Sequence, residues 1–174
     1  LTFNDNCVNM ALKGAKEAGN APSFSLNPAT GYIAMLNQVT TSSEEPWGPD
    51  FKRGAQDNSI TAVGTLNPES ERKGRASIHN PTGFFVTVLR ETLIEEGIQV
   101  EGRALDIDQV GNKKACRAGN IILFTHSSPP MSTLIKRVNL ISQNLHAEQL
   151  LKTLAAEKKG EGSYASGCMV VQNW

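Results

Sequence analysis

The sequence has little of what would place the protein in a specialised class. No apolar stretch approaches the ~20 residues that a membrane-spanning helix needs. The 17 basic and 17 acidic residues cancel, and no long block carries one sign, so the composition favours neither a nucleic-acid-binding nor a membrane-surface protein. The chain starts at Leu1 rather than at Met, and no secretory leader follows. We therefore expect that proteolytic processing or truncation of a longer chain produced this start.

Metal-binding and redox patterns are lacking too. The cysteines and histidines are few and scattered: Cys7, Cys116 and Cys168, and His79, His126 and His146. They include no Cys-x-x-Cys pair and are not spaced as the ligands of a metal ion usually are, so neither a zinc site nor a redox site is predicted. The odd number of cysteines leaves their disulfide pairing open.

The composition is that of a globular protein, and the pattern of apolar residues differs between two regions of the chain. With 39% hydrophobic residues over 174 positions, the chain is long enough for one domain or for parts of two. Residues 1–115 predict a β-rich region with one helix, and residues 116–174 predict a strand followed by helices. The change of pattern falls between residues 98 and 118. The predicted fold class is α+β.

In the first region, alternating apolar residues predict strands and turn residues predict loops. Strands are predicted at 7–12, 22–28, 31–41, 59–66, 75–79 and 97–107, with loops at 42–57 and 67–74. The one helix has clear end signals. Asn80 suits its N-cap, Pro81 its first position and Gly97 its end.

The second region predicts a compact apolar strand at 120–126 and then three helical patterns. Ser128 is a candidate cap and Pro129 a first-turn residue for a helix with an apolar face from Met131 to Val138. A second apolar face, formed by Ala147, Leu150, Leu151 and Leu154, is expected to pack against it. A third helix or buried segment is expected over 162–174.

Ser142-Gln143-Asn144 separates the first two helical patterns, although Ser and Asn are poor helix formers. One interpretation is a capping turn. The other is a catalytic Ser-x-Asn, in which a hydroxyl relays a proton and an amide holds a substrate carbonyl or a lysine. The motif alone is not specific, because Ser25-Leu26-Asn27 repeats it inside a predicted strand.

The surrounding sequence favours the catalytic interpretation. Residues 125–154, THSSPPMSTLIKRVNLISQNLHAEQLLKTL, resemble a stretch of the DacB-type D-alanyl-D-alanine carboxypeptidases, the class C low-molecular-weight penicillin-binding proteins. The resemblance continues in NDNCVNMAL, LNPATGYIAMLNQVTT, NPTGFFVTVLRETLIEEGIQVEG and GSYASGCMVVQNW. It covers essentially the whole chain in the family's order.

The resemblance implies three motifs, of which this chain carries one. The family's nucleophile lies in Ser-x-x-Lys, the second motif is Ser-x-Asn, and the third is Lys-Thr-Gly. Ser142 and Asn144 match the second. Ser70-x-x-Lys73 lies in a charged loop, unlike the helix N-terminus that an activated serine needs, so it is not expected to be catalytic. No Lys-Thr-Gly occurs.

The implied architecture is an internal fragment of such an enzyme. Residues 1–115 would be the later part of β-rich accessory insertions. Residues 116–174 would be part of a penicillin-recognising serine-transferase (β-lactamase-like) domain. Because the missing parts of that domain would leave apolar surface uncovered, Ser142 is expected to be at least partly exposed beside an apolar patch, and copies of the fragment are expected to self-associate.

The implied function is a serine-type D-Ala-D-Ala carboxypeptidase or endopeptidase that acts on peptidoglycan stem peptides through an acyl-enzyme. β-Lactams would acylate the same nucleophile, and no metal or organic cofactor is required. The resemblance also implies a periplasmic or cell-envelope location, with no nucleic-acid partner. The alternative is a non-catalytic module that binds peptidoglycan or stabilises an assembly. Flanking Ser-x-x-Lys and Lys-Thr-Gly motifs would separate the two.

Three other residues have plainer interpretations. Glu148, which the resemblance includes, is expected to form a local ion pair on its helix. Arg90 is expected to be a solvated or paired surface residue. Trp47, which follows Glu44 and Glu45, is expected to lie in an exposed connecting loop.

The 174-residue chain should not be labelled by a fluorescent penicillin, because covalent acylation needs an activated serine and none lies in a suitable setting. Gel fluorescence after incubation measures this, with a complete penicillin-binding enzyme as positive control. Stoichiometric labelling would contradict the fragment interpretation and would point to Ser70.

Overall fold

A computed structural model of the protein describes residues 2–44, 48–111, 121–122 and 124–174. The chain divides into two compact units, residues 1–118 and 119–174. The first unit contains β1 Cys7–Lys13, β2 Ser23–Asn27, β3 Ala34–Thr41, β4 Asp50–Arg53, β5 Ser59–Leu66, β6 Glu71–Ser77 and α1 Pro81–Glu95. The second contains α2 Met131–Ile141, α3 Asn144–Lys159 and α4 Tyr164–Gln172. The predicted α+β class is confirmed.

Two three-stranded sheets form the first unit. One is antiparallel, with β1 between β2 and β6. In the other, β5 lies between β3, its parallel neighbour, and β4, its antiparallel neighbour. Side chains alternate between the two faces of a strand, so Val8, Met10 and Leu12 of β1 all point to the buried side.

The core of this unit joins the sheets to α1. Phe84 of α1 is fully buried, and its ring centroid lies 5.7 Å from that of Phe3 and 5.9 Å from that of Tyr32. The buried residues around it come from β1, β5, α1 itself and the segments just before β3 and α1: Val8, Met10, Ile33, Ile60, Ile78 and Val88. Burial of these apolar side chains is the main stabilising contribution here.

The start of α1 follows its sequence signals. The Asn80 side chain accepts a hydrogen bond from the Gly83 N–H at 2.9 Å, as an N-cap should, and Pro81 takes the first helical position. The Tyr32 hydroxyl donates to the Asn80 carbonyl at 3.2 Å. Burial raises the pKa of Tyr32 above its ordinary value, which keeps that hydroxyl a donor.

Two loop predictions in the first unit need correction, because each of these segments contains part or all of a strand. The predicted loop at 42–57 contains strand β4, and the predicted loop at 67–74 ends early because β6 begins at Glu71. Both strands are rich in charged residues, which the solvent-facing side of a strand accommodates. The Phe51 side chain of β4 instead reaches the core, where it packs against Gly74 of β6.

The strand predicted at 97–107 does not form. Its carbonyl groups bond to a side chain instead of to a neighbouring strand: Arg90 donates from Nε to Gly102 O at 2.7 Å and from Nη2 to Val100 O at 3.2 Å. A short 3₁₀ turn, Ile107–Gln109, follows. The paired role expected for Arg90 is confirmed, and its partners are backbone carbonyls.

In the second unit, α3 packs closely against α4. A Cβ atom at Gly167 of α4 would lie 2.8 Å from the Leu151 carbonyl oxygen and 2.7 Å from Leu151 Cγ, so only glycine permits this approach. Leu151, which was expected to pack against α2, contacts α4 at this point. Leu150 and Leu154 do line a groove shared with α2, and the third predicted helix is confirmed as α4.

The start of the second unit also differs from prediction. The described residues of the predicted strand at 120–126 form no strand, and Ile121 and Ile122 are each 83% exposed. Residues 120 and 123 lie outside the described chain. Helix α2 begins at Met131 with Pro130 as N-cap, because a proline keeps the residue before it extended and so excludes Pro129 from the helix.

None of the helices in the described ranges is both long and apolar enough to cross a membrane.

We predict that Gly167→Ala lowers the free energy of unfolding of the second unit by about 1–3 kcal/mol, the usual cost of overpacking. Urea denaturation followed by circular dichroism measures the change. Gly102→Ala is the matched control, because its Cβ would meet no atom within 4 Å. Equal stability of the two variants would contradict the close α3–α4 contact.

Candidate functional site

Ser142-Gln143-Asn144 forms the turn between α2 and α3. Ser142 is the C-cap of α2, in the left-handed conformation with φ 53° and ψ 48°. The N–H groups of Ser142 and Gln143 both donate to the Val138 carbonyl, the latter at 3.2 Å. Helix α3 begins at Asn144, and the Ala147 N–H donates back to Gln143 O at 3.2 Å. The chain thus passes from one helix to the next in two residues.

The backbone of Ser142 is strained. A left-handed conformation costs a residue with a Cβ about 1–2 kcal/mol, whereas glycine adopts it freely. Glycine does end α3 in this way, at Gly160 with φ 73°. The turn alone therefore does not account for a serine at position 142, and strain of this kind concentrates at functional sites.

Ser142 and Asn144 are both exposed. Neither side chain has a hydrogen-bond partner among the residues that the structure describes. Next to them, Leu140 is 72% and Ile141 is 57% exposed. The expected exposure of Ser142 beside apolar surface is confirmed, and both polar groups are available to an incoming molecule.

A separate apolar groove lies farther along the helices. It encloses about 360 Å³ between α2 and α3 and is lined by Met131, Ile135, Leu150, Thr153, Leu154 and Glu157. Met131 lies about 16 Å from Ser142 along the axis of α2, at 1.5 Å per residue. The groove is therefore distinct from the Ser-x-Asn turn.

Two side chains of α3 lie within two helical turns of the Ser-x-Asn turn. Glu148 pairs with Lys152 at 2.6 Å, which confirms the local ion pair expected for it. His146 was not predicted to bind a metal ion. Its Nδ1 atom is buried and has no hydrogen-bond partner in the described chain.

The other candidate motifs lack the geometry for catalysis. The Ser70 hydroxyl donates to Asn67 O at 2.7 Å in a turn, and Lys73 pairs with Glu71 at 3.3 Å on β6. Residues i and i+3 share a face on a helix but not along a strand. Ser25 and Asn27 lie on one face of the edge strand β2, and the pocket that they line is formed by residues of β1, β2 and β6.

Some of the other residues noted in the sequence lie outside the described ranges. Trp47 and Cys116 lie outside the described residues. Cys7 and Cys168 are free thiols. Within the described ranges, no group of three His, Cys, Asp or Glu side chains is placed to hold a metal ion.

The fold resembles that of a known penicillin-binding protein. A crystal structure of penicillin binding protein 4 (dacB) from Haemophilus influenzae matches 99% of this chain and 37% of its own, with a TM-score of 0.72 at 17% identity. A second structure of that protein, in complex with a β-lactam, matches 99% of this chain and 39% of its own, with a TM-score of 0.65 at 18% identity. At such identities, these matches show the fold alone.

Sequence similarity identifies the family. A D-alanyl-D-alanine carboxypeptidase from Actinomadura sp. (strain R39) is 23% identical over 172 residues, which are 98% of this chain and 31% of that protein. Residues 1–174 match the D-Ala-D-Ala carboxypeptidase 3 (S13) family, and the chain belongs to that family. The predicted family resemblance is confirmed. The chain spans about a third of the length of these relatives.

We predict opposite stability orders for two pairs of variants. At Ser142, glycine should be more stable than alanine by about 1 kcal/mol, because it relieves the left-handed strain. At Lys136, an exposed position in the middle of α2, alanine should be more stable than glycine by about 1 kcal/mol, the difference in helix propensity. Urea unfolding midpoints of the four variants test this. The same order at both positions would contradict the described turn.

Proposed function

We propose that this chain supplies the Ser-x-Asn motif of a serine-type D-Ala-D-Ala carboxypeptidase that cleaves peptidoglycan stem peptides. The observation that carries the proposal is the placement of Ser142 and Asn144 on an exposed, strained turn between packed helices. The proposed activity needs a protein that joins this chain to a Ser-x-x-Lys and a Lys-Thr-Gly motif.

In the proposed acylation, the serine of Ser-x-x-Lys attacks the carbonyl carbon of the penultimate D-alanine. A bond forms between the serine oxygen and that carbon, and the amide C–N bond breaks. The Ser142 hydroxyl takes up a proton derived from the nucleophile, by way of the lysine, and gives its own proton to the leaving nitrogen. The terminal D-alanine departs with a free amino group, and water later hydrolyses the ester.

Asn144 has a holding role in this scheme. Its side-chain N–H group donates to the substrate amide carbonyl, and its Oδ1 atom accepts from the lysine ammonium group. An amide serves both purposes because it is at once a donor and an acceptor. A carboxylate could accept from the lysine, but it could not donate to the substrate carbonyl.

The rigidity of the turn supports these roles. The N–H groups of Ser142 and Gln143 are tied to Val138 O, and α3 is held at close range against α4 through Gly167 and Leu151. Side chains carried by packed helices hold a reactive geometry better than side chains on a free loop. A displacement of about 1 Å can cost 10²-fold in rate.

Related properties belong to the same proposal. A β-lactam presents a strained amide carbonyl to the same nucleophile and would form a stable ester with it. Endopeptidase action on cross-linked stem peptides and a periplasmic or envelope location are further parts of the proposal. Self-association through the exposed apolar residues of the second unit remains a prediction.

A non-catalytic role in binding peptidoglycan is the second candidate. It applies if no active Ser-x-x-Lys is joined to this chain, since Ser70 and Lys73 themselves do not have catalytic geometry. The sequence that flanks this chain in its gene separates the candidates. A Ser-x-x-Lys before it and a Lys-Thr-Gly after it would support the enzyme.

In a protein that carries all three motifs, Ser142→Ala should slow turnover of a D-Ala-D-Ala peptide by about 10²-fold or more, the scale for a positioned proton-transfer group. Ser142→Gly should be as slow, although it relieves the strained backbone. Release of D-alanine measures the rate, and Ser25→Ala is the matched control that should leave it unchanged.

Full activity of either Ser142 variant would refute the proposed role of the hydroxyl. Loss of activity in Ser142→Ala with full activity in Ser142→Gly would assign the effect to the backbone, and it too would refute proton transfer.

A further inference from the structure

A segment after α1 has the sequence pattern of a strand but no neighbouring strand. Residues 98–105 lie outside every helix and strand of the structure, and they bend at Gly102. Gln99 Nε2 and Glu101 Oε1 are 3.4 Å apart, so both side chains lie on one side of the segment. Side chains two residues apart share a side in an extended chain, which is the conformation that can join a sheet.

One backbone edge of this segment is occupied and the other is free. The carbonyl groups of Val100 and Gly102 accept hydrogen bonds from Arg90. Backbone groups of successive residues in an extended chain point to opposite sides, so those of Glu101 and Arg103 point away from Arg90. Both residues are exposed, and their N–H and C=O groups have no partner among the described residues. Such an edge can accept a further strand.

The free edge carries two opposite charges. Glu101 and Arg103 are two residues apart, so their side chains lie on the same face of an extended segment. Neither forms an ion pair within the described part of the chain, where the ion pairs involve other residues. A complementary strand therefore places a basic residue opposite Glu101 and an acidic residue opposite Arg103.

We propose that a second copy of this chain supplies that strand, and that the two segments pair antiparallel about a twofold axis at Gly102. Glu101 of one copy then lies opposite Arg103 of the other, and the same pair recurs on the other side of the axis, as a symmetric interface requires. Gly102 lies opposite its own copy. The absence of a side chain there lets the two backbones approach closely.

The backbone and the charges select the same register. Glu101 and Arg103 both direct their N–H and C=O groups to the free edge, so they can face each other as hydrogen-bonded pairs. A shift by one residue would set Glu101 opposite Gly102, whose carbonyl is held by Arg90. A shift by two residues would set Glu101 opposite Glu101, or Arg103 opposite Arg103, and like charges in that position are destabilising.

This surface belongs to the first unit alone. It is distinct from the exposed apolar residues of the second unit and from the Ser-x-Asn turn, and it does not rest on the proposed function. The contact is small, so the dimer should be weak and reversible.

The test measures dimerisation of the 174-residue chain by sedimentation equilibrium and by NMR. The amide resonances of Glu101 and Arg103 should shift with protein concentration, with a dissociation constant below about 1 mM. Glu101→Arg and Arg103→Glu should each weaken dimerisation at least tenfold, because each reversal sets like charges opposite one another at both pairs.

Two restorations test the register itself. The double variant Glu101→Arg/Arg103→Glu exchanges the charges and should dimerise within about threefold of the original chain, since each pair is again of opposite sign. An equimolar mixture of the two single variants should form a mixed dimer of similar affinity. One chain then carries two basic residues at these positions and the other carries two acidic residues.

Matched controls reverse exposed charges elsewhere in the first unit. Glu95→Arg and Arg72→Glu make the same changes of charge at exposed positions and should leave dimerisation unchanged. Circular dichroism of every variant confirms that the fold is retained.

A chain that stays monomeric at about 1 mM would overturn the proposal. Dimerisation that neither single reversal weakens would overturn it as well, and would assign the association to another surface, such as the apolar residues of the second unit. Failure of either restoration would refute the register centred on Gly102. No outcome depends on catalytic activity, so the result is independent of the proposed function.

Discussion

The close approach of α4 to α3 at Gly167 is the constraint on which the candidate site depends. Asn144 is the first residue of α3, and Ser142 is joined to it by one residue. Because a Cβ at Gly167 would meet a backbone oxygen of α3, the distance between the helices is fixed by covalent geometry and not by an adjustable side chain. The position of the polar turn is therefore set by a contact some 20 residues away in sequence.

Elements with strong local signals could be predicted from the sequence, and elements defined by distant partners could not. Helix α1 was predictable because Asn80 and Pro81 act on their own neighbours. Strand β4 was missed because only Phe51 distinguishes it from a charged loop. The segment 97–107 alternates like a strand, but its carbonyls bond to Arg90, and no local pattern reveals a side chain that replaces a neighbouring strand.

For the candidate site, the sequence predicted the turn but not its backbone conformation. Two helical patterns that meet at Ser142 indicate a turn, but they do not indicate its left-handed backbone. The three residues of the motif do not distinguish Ser142-x-Asn144 from Ser25-x-Asn27. The predicted setting differs, a turn between helices against a strand, and the family resemblance then selected the first.

The pairing of β1 with β6 has a consequence for synthesis on the ribosome. Strand β1 is the centre of its sheet, yet one of its two partners is translated about 60 residues later. Until Glu71–Ser77 emerges, one edge of β1 stays unpaired, with N–H and C=O groups that can bind another chain. An uncovered strand edge favours aggregation, and long-range pairing of this kind slows folding because a long loop must close before the contact forms.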